Sequence, residues 1–317
     1  MATEPFRIDV HHHILPPEYV SAVTAHGVGM PGGLPLPSWD PASSLALMDR
    51  YGIATAITSI SDPGVFFGDY FLARNLARRC NEFAARLVAD APRRFGAFAT
   101  LPLPDTDAAL LELEYALDTL HLDGVVLLSS YEGWYLGDPT FNALFTELNR
   151  RKAVVFIHPT FRQSSETLQL KLPPFLVEFV FDTTRAVVNL VYSGTLERCP
   201  DIRFVLSHAG GTIPYLVWRI SLGQVFLPGL PRDVPSYLKQ LYYDTALSAS
   251  PSAFRSLQEL VDPSHILFGS DYPFAPEPLT QATVYGIGTY DGFDDQARRM
   301  IERDGALALF PRLGTPQ

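Results

Sequence analysis

Short apolar runs alternate with longer stretches of helical spacing along the whole chain. Runs at 6–11, 54–60, 95–101, 124–128, 154–158, 203–208, 241–244 and 266–270 predict eight strands. Several are uninterrupted (VVLL, AVVFI, IRFVL, HILF), as parallel strands covered on both faces tend to be. Between them, helices are predicted at 40–51, 69–90, 105–119, 138–151, 175–193, 212–222, 251–261 and 295–310. The first opens on Asp40-Pro41, an N-cap followed by a proline that needs no N–H partner. In the third, Leu110, Leu111, Leu113 and Leu117 recur at helical spacing. Strict alternation of this kind predicts an α/β fold, a closed (β/α)8 TIM barrel rather than an open doubly wound sheet. One such domain accounts for 1–317. It carries a long Pro- and Gly-rich loop at 16–39, which is either a lid near the barrel mouth or a surface or subunit contact.

Composition narrows the function classes. The chain has 34 acidic and 24 basic residues, a net charge of −10, and no basic block. Nucleic acid and anionic membrane are therefore not expected partners. Hydrophobic residues make up 47% and charged residues 18%. That polar cover is thin for a monomer, so a homodimer is expected. Two cysteines, Cys80 and Cys199, suit a reducing compartment and exclude a disulfide scaffold. With no basic leader before an apolar stretch and no spanning run, the expected location is cytoplasmic.

The candidate chemistry lies in histidines at strand ends. His11, His12 and His13 close the first predicted strand; its period of two puts His11 and His13 on one face and His12 on the other. His158 ends the fifth strand in FIHPT, His208 ends the sixth in LSHAGG, and Asp271 follows the eighth in FGSDYPF. In a barrel these C-terminal strand ends converge on one opening, where barrel active sites lie. His121 and His265 precede their strands and fall on the opposite, structural face.

The motifs DVHHH, FIHPT, LSHAGG and FGSDYPF, in this order from Asp9 to Phe274, resemble those of the amidohydrolase superfamily. Within it they resemble the branch related to aminocarboxymuconate semialdehyde decarboxylase, nearest its methylsalicylate decarboxylase-like members. The resemblance implies that His11, His13, His158 and Asp271 bind a metal and that His208 is an acid/base group; the proton donor of the reaction is either Asp271 or His208. The bridging lysine of two-metal members is missing from VVLLSSYEG, which implies one divalent ion. Three imidazoles and a carboxylate suit Zn²⁺ and also admit Mn²⁺.

The expected substrate is a small carboxylic acid. Trp39, Phe161 and Phe274, with Tyr131, Trp134 and Tyr272, either line a flat pocket near the mouth or fill the core. Arg162 and Arg219 either pair with a substrate carboxylate or sit on the surface, and Asp244 either orients a histidine or caps a helix. The expected activity is metal-dependent, non-oxidative decarboxylation of an ortho-hydroxybenzoate-type or conjugated acid, a carbon–carbon lyase reaction. The alternatives are hydrolysis of a lactone or related ester by the same groups, and a non-catalytic acid sensor.

Overall fold

The computed structural model describes residues 6–160, 171–227, 229–230 and 232–314. Eight parallel strands pair in chain order: β1 (Arg7–His13), β2 (Ile53–Ser59), β3 (Phe95–Thr100), β4 (Gly124–Leu128), β5 (Val154–His158), β6 (Arg203–Leu206), β7 (Tyr242–Asp244) and β8 (Ile266–Leu267). The last is only two residues long. The seam back to β1 is carried instead by single hydrogen bonds: Val10 N–H to Phe268 O at 3.0 Å, Asp271 N–H to His11 O at 2.7 Å, and His13 N–H to Tyr272 O at 2.7 Å. With helices between the strands, this is the predicted barrel, nearly closed.

Alternate strand residues fill its interior. Ile8, Val10, Ile57, Phe98, Val126, Phe156, Val205 and Leu267 form one apolar cluster with Leu309 and Phe310. The C-terminal segment that supplies the last two is tied to strand starts, through Arg203 to Ala308 O and Arg303 to Phe6 O. The intervening residues, such as Ala97, Val125, Val155 and Phe204, face the helices in a larger cluster. Burying each of these large side chains contributes roughly 1.5–3 kcal/mol.

Helix starts follow local chemistry. Asp40 caps α2 (Pro41–Arg50), accepting from Ser43 N at 2.7 Å, and Asp69 caps α3 (Tyr70–Asp90). The stretch expected to be irregular at 16–39 begins instead with a helix, α1 (Pro17–Ala25). Its prolines sit at the helix start, where a missing N–H costs nothing, and Tyr19 and Val23, one turn apart, are buried. The helix Glu277–Thr289 was also not predicted; β-branched residues and two glycines weaken its signal. Gly286 is needed there, because a Cβ would lie 2.4 Å from Ala249 O. The rest of the 16–39 stretch is irregular apart from a 3-10 turn at Pro31–Gly33, and its 31–37 part lies against the cavity at the barrel mouth. Gly33, at φ +85°, lies so close to Pro174 that a Cβ would fall 2.5 Å from its Cδ. No described helix is long and apolar enough to cross a membrane.

Candidate active site

Ile8 and Val10 face the barrel interior, so unbroken alternation would send His12 inward and His11 and His13 outward. Between Asp9 and His12, β1 takes three steps against two on β2 (Asp9 opposite Ala56, His12 opposite Thr58). This one-residue bulge reverses the parity and aims His11 and His13 into the barrel. His158 ends β5, His208 follows β6, Asp244 ends β7 and Asp271 follows β8, all at the same mouth. His208 and Asp271 adopt left-handed backbone conformations, φ +52° and +61°, which non-glycine residues take uncommonly. Gly269 admits the close approach of two of these elements; a Cβ there would lie 2.9 Å from that of His11.

His11 Nε2, His13 Nε2 and Asp271 Oδ1 form a triangle with sides of 3.0, 3.1 and 3.2 Å. Ligands about 2.0–2.2 Å from one divalent ion stand roughly this far apart. One donor atom each from His11, His158, His208 and Asp271 also lies within 4.8 Å of the other three. That foursome contains His208 and not His13, which joins the site through His11 and Asp271. The tautomers follow from the partners. His11 Nδ1 faces Asp244 Oδ2 at 2.5 Å and His158 Nδ1 faces Pro159 O at 2.7 Å. Both partners only accept, so each Nδ1 carries the proton and each Nε2 turns a donor position to the centre. His13 Nδ1 meets Ser59 Oγ at 3.0 Å. These buried nitrogens and oxygens make a site for a divalent metal ion.

The charges agree. Burial disfavours a charged His11, but the Asp244 and Asp271 carboxylates outweigh it and push the ring up to about 10. Burial takes His13 down to about 4 and His158 well below the ordinary histidine range, so both are neutral and ready to bind. Burial would raise Asp271, yet the adjoining His11 charge and hydrogen bonds hold it well below the usual carboxylate range. At neutral pH the ion-free centre therefore holds an extra proton on His11. Ion binding is expected to release about one proton, with affinity rising as pH rises toward 10. Calorimetry in buffers of different ionisation enthalpy counts that proton; a release of zero would mean that His11 is already neutral.

Beside the donors lies a cavity whose polar end is Ser61, Asp62, His158, His208 and Asp271. The remaining wall is apolar, with Phe175, Phe179, Leu247, Phe274, Leu279 and the 31–37 loop. Phe274, one of the predicted binding residues, lines it and meets the His13 ring edge-on at 5.3 Å. Asp244 orients His11 and also accepts from His208 N at 2.8 Å. Two residues take the non-binding alternative rather than the substrate-binding one. Trp39 is not on the cavity: its indole donates to Ser44 Oγ at 2.8 Å and packs on Phe83, behind His12. Arg219 is exposed on the outer helix Ile213–Ser221, because the apolar face that begins that helix turns the opposite side to solvent. Phe161 and Arg162 lie outside the described residues. Phe179, stacked on His208 at 6.4 Å, and Leu247 were missed. The Phe179 signal was available, since it lies on the predicted 175–193 helix. Leu247, at φ +53°, gave none.

Known proteins extend the comparison. The chain is 41% identical over 327 residues to the decarboxylase yanB of Aspergillus niger, covering 98% of this chain and 89% of that one. It is 37% identical over 318 residues to the 6-methylsalicylic acid decarboxylase of Penicillium expansum, covering 97% of each. The crystal structure of an amidohydrolase II superposes with a TM-score of 0.92 at 30% identity, over 96% of this chain and 99% of that one. Residues 8–312 match the family model described as Amidohydrolase, and to that family this barrel, with its histidines and carboxylates gathered at one mouth, belongs.

Proposed function

We propose that the chain is a metal-dependent, non-oxidative decarboxylase of an ortho-hydroxybenzoate-type acid, 6-methylsalicylate being the best fit. The reading is supported by the activities named for its relatives. The observation that carries it is His208, buried on the cavity wall with its Nε2 3.4 Å from Asp271 Oδ2 and its Nδ1 without a partner among the described residues. His11, His13, His158 and Asp271 would hold one ion, Zn²⁺ by donor type with Mn²⁺ the other candidate. When bound, such an ion would supply positive charge that attracts the substrate's carboxylate. No lysine or arginine occurs among the described residues that line the cavity. Phe179, Leu247, Phe274 and Leu279 sandwich the ring and exclude water.

His208 gives a proton to the ring carbon that bears the carboxylate, and Asp271 beside it steadies the imidazole. The ring loses its aromaticity at that moment. The carbon–carbon bond then breaks, its electron pair restores the ring, and carbon dioxide leaves. His208 regains a proton from solvent. The net change is one proton for one carbon dioxide, with no redox cofactor.

The test is carbon dioxide release by metal-replete protein from salicylate, 6-methylsalicylate, 2,6-dihydroxybenzoate and 5-carboxyvanillate. Turnover is expected with the ortho-hydroxy acids, and most with 6-methylsalicylate. Silence with metal bound, or entry of oxygen from labelled water into a lactone or ester substrate, would replace the lyase by a hydrolase.

The same proposal includes a homodimer. Tyr215, Trp218, Val225 and Phe226 are 75–84% exposed on consecutive turns, an apolar face that monomers rarely leave bare. Sedimentation equilibrium should give twice the chain mass of 35.1 kDa, and 35.1 kDa itself at micromolar concentration would refute the dimer.

A further inference from the structure

The centre is assembled across the weakest seam of the barrel. His11 and His13 stand on β1 and Asp271 stands beyond the two-residue β8, where few ladder bonds join the two sides. At that level one buried carboxylate receives four hydrogen bonds. Asp9 Oδ1 accepts from His11 N at 3.1 Å and Ser270 N at 3.0 Å; Asp9 Oδ2 accepts from Ser270 Oγ at 2.6 Å and His12 Nδ1 at 3.1 Å. Two donors come from the β1 bulge and two from the residue preceding Asp271. We propose that Asp9 is the positioning residue of the metal centre, a clamp that sets the separation between the His11–His13 pair and Asp271. The inference rests on the metal-centre reading above.

A directed chain of hydrogen bonds holds the clamp from behind. The Trp39 indole donates to Ser44 Oγ at 2.8 Å, Ser44 O–H donates to His12 Nε2 at 2.9 Å, and His12 Nδ1–H donates to Asp9. An indole only donates and a carboxylate only accepts, so every proton between them has one satisfied position. All donors therefore point toward Asp9, and its two oxygens are fixed in rotation. The middle histidine of the triplet and the tryptophan expected in the pocket both belong to this support. In Asp9→Asn the amide turns N–H groups toward the His12 and Ser270 donors; the Ser270 hydroxyl can reverse and accept, but the bond from His12 Nδ1–H is lost and the chain behind it loses its direction.

Asp9→Asn and Ser270→Ala test the clamp through binding rather than turnover. The readouts are the Zn²⁺ dissociation constant by competition with a chromophoric chelator, the visible spectrum of the Co²⁺-loaded protein, and the melting temperature without metal. Asp9→Asn is expected to weaken Zn²⁺ binding about 10–100-fold and to alter the Co²⁺ absorption; Ser270→Ala moves both in the same direction by less. A lower melting temperature with wild-type Zn²⁺ affinity and an unchanged Co²⁺ spectrum would show that Asp9 only stabilises the fold, and would overturn the proposal. If Asp9→Asn does not fold, wild-type affinity in Ser270→Ala has the same force. Wild-type protein that binds no ion would instead refute the metal centre itself.

Discussion

Replacing His208 by asparagine is expected to slow carbon dioxide release by about 10²–10⁴-fold while the protein keeps its ion. His208 is within the distances that a ligand would have, yet its place differs from the others. His11 and His158 each have an Nδ1 fixed by an acceptor, which leaves Nε2 to bind. His208 has no such anchor on its ring; its backbone N–H, rather than its imidazole, is what Asp244 holds. A ring with Asp271 on one nitrogen and no partner on the other suits a group that must gain and lose a proton, and Phe179 stacks beside its face. Metal analysis of the purified variant decides between the roles. Lost activity with one ion per chain makes His208 the acid; lost activity with lost metal makes it a ligand, and the proton must then come from elsewhere.

Asp244→Asn should lower metal affinity about 10–100-fold, and with it activity at limiting metal, which added metal partly restores. Asp244 is wholly buried, with one oxygen 2.5 Å from His11 Nδ1 and the other accepting from His208 N and Ala246 N. The amide oxygen of asparagine can keep the two backbone bonds. Its N–H groups then face the N–H of His11, and two donors cannot share the contact. The ring escapes by moving its proton to Nε2, the position needed for the ion. Equilibrium dialysis against Zn²⁺ measures the loss. Unchanged affinity would mean that the tautomer of His11 is set by something other than Asp244.

What could be read in the sequence was what depends on near neighbours. The eight strand runs, the capped helix at Asp40-Pro41, and the histidines at the ends of β1 and β5 are local patterns, and the barrel brings their ends together. The shared face of His11 and His13 follows from a period of two, but the inward direction of that face comes from a bulge, which a run of DVHHH does not announce. His11 and Asp244 are separated by 233 positions, so their contact arises only when the barrel closes. Helix α1 was hidden by its prolines, which mark loops as readily as helix starts. Trp39 and Arg219 were placed by residue type, an aromatic for the pocket and a cation for the carboxylate. The first was drawn to a serine behind His12 and the second was left on the exposed side of its helix.

The interior packing of the barrel also governs traffic. Phe98, Phe156 and Phe310 plug the axis beneath the histidines, so nothing in the cavity drains through the far end. The cavity lies on the open side of this plug, under the 31–37 loop, so substrate arrives and both products leave at that end of the barrel. A decarboxylated ring still in the cavity therefore excludes the next substrate.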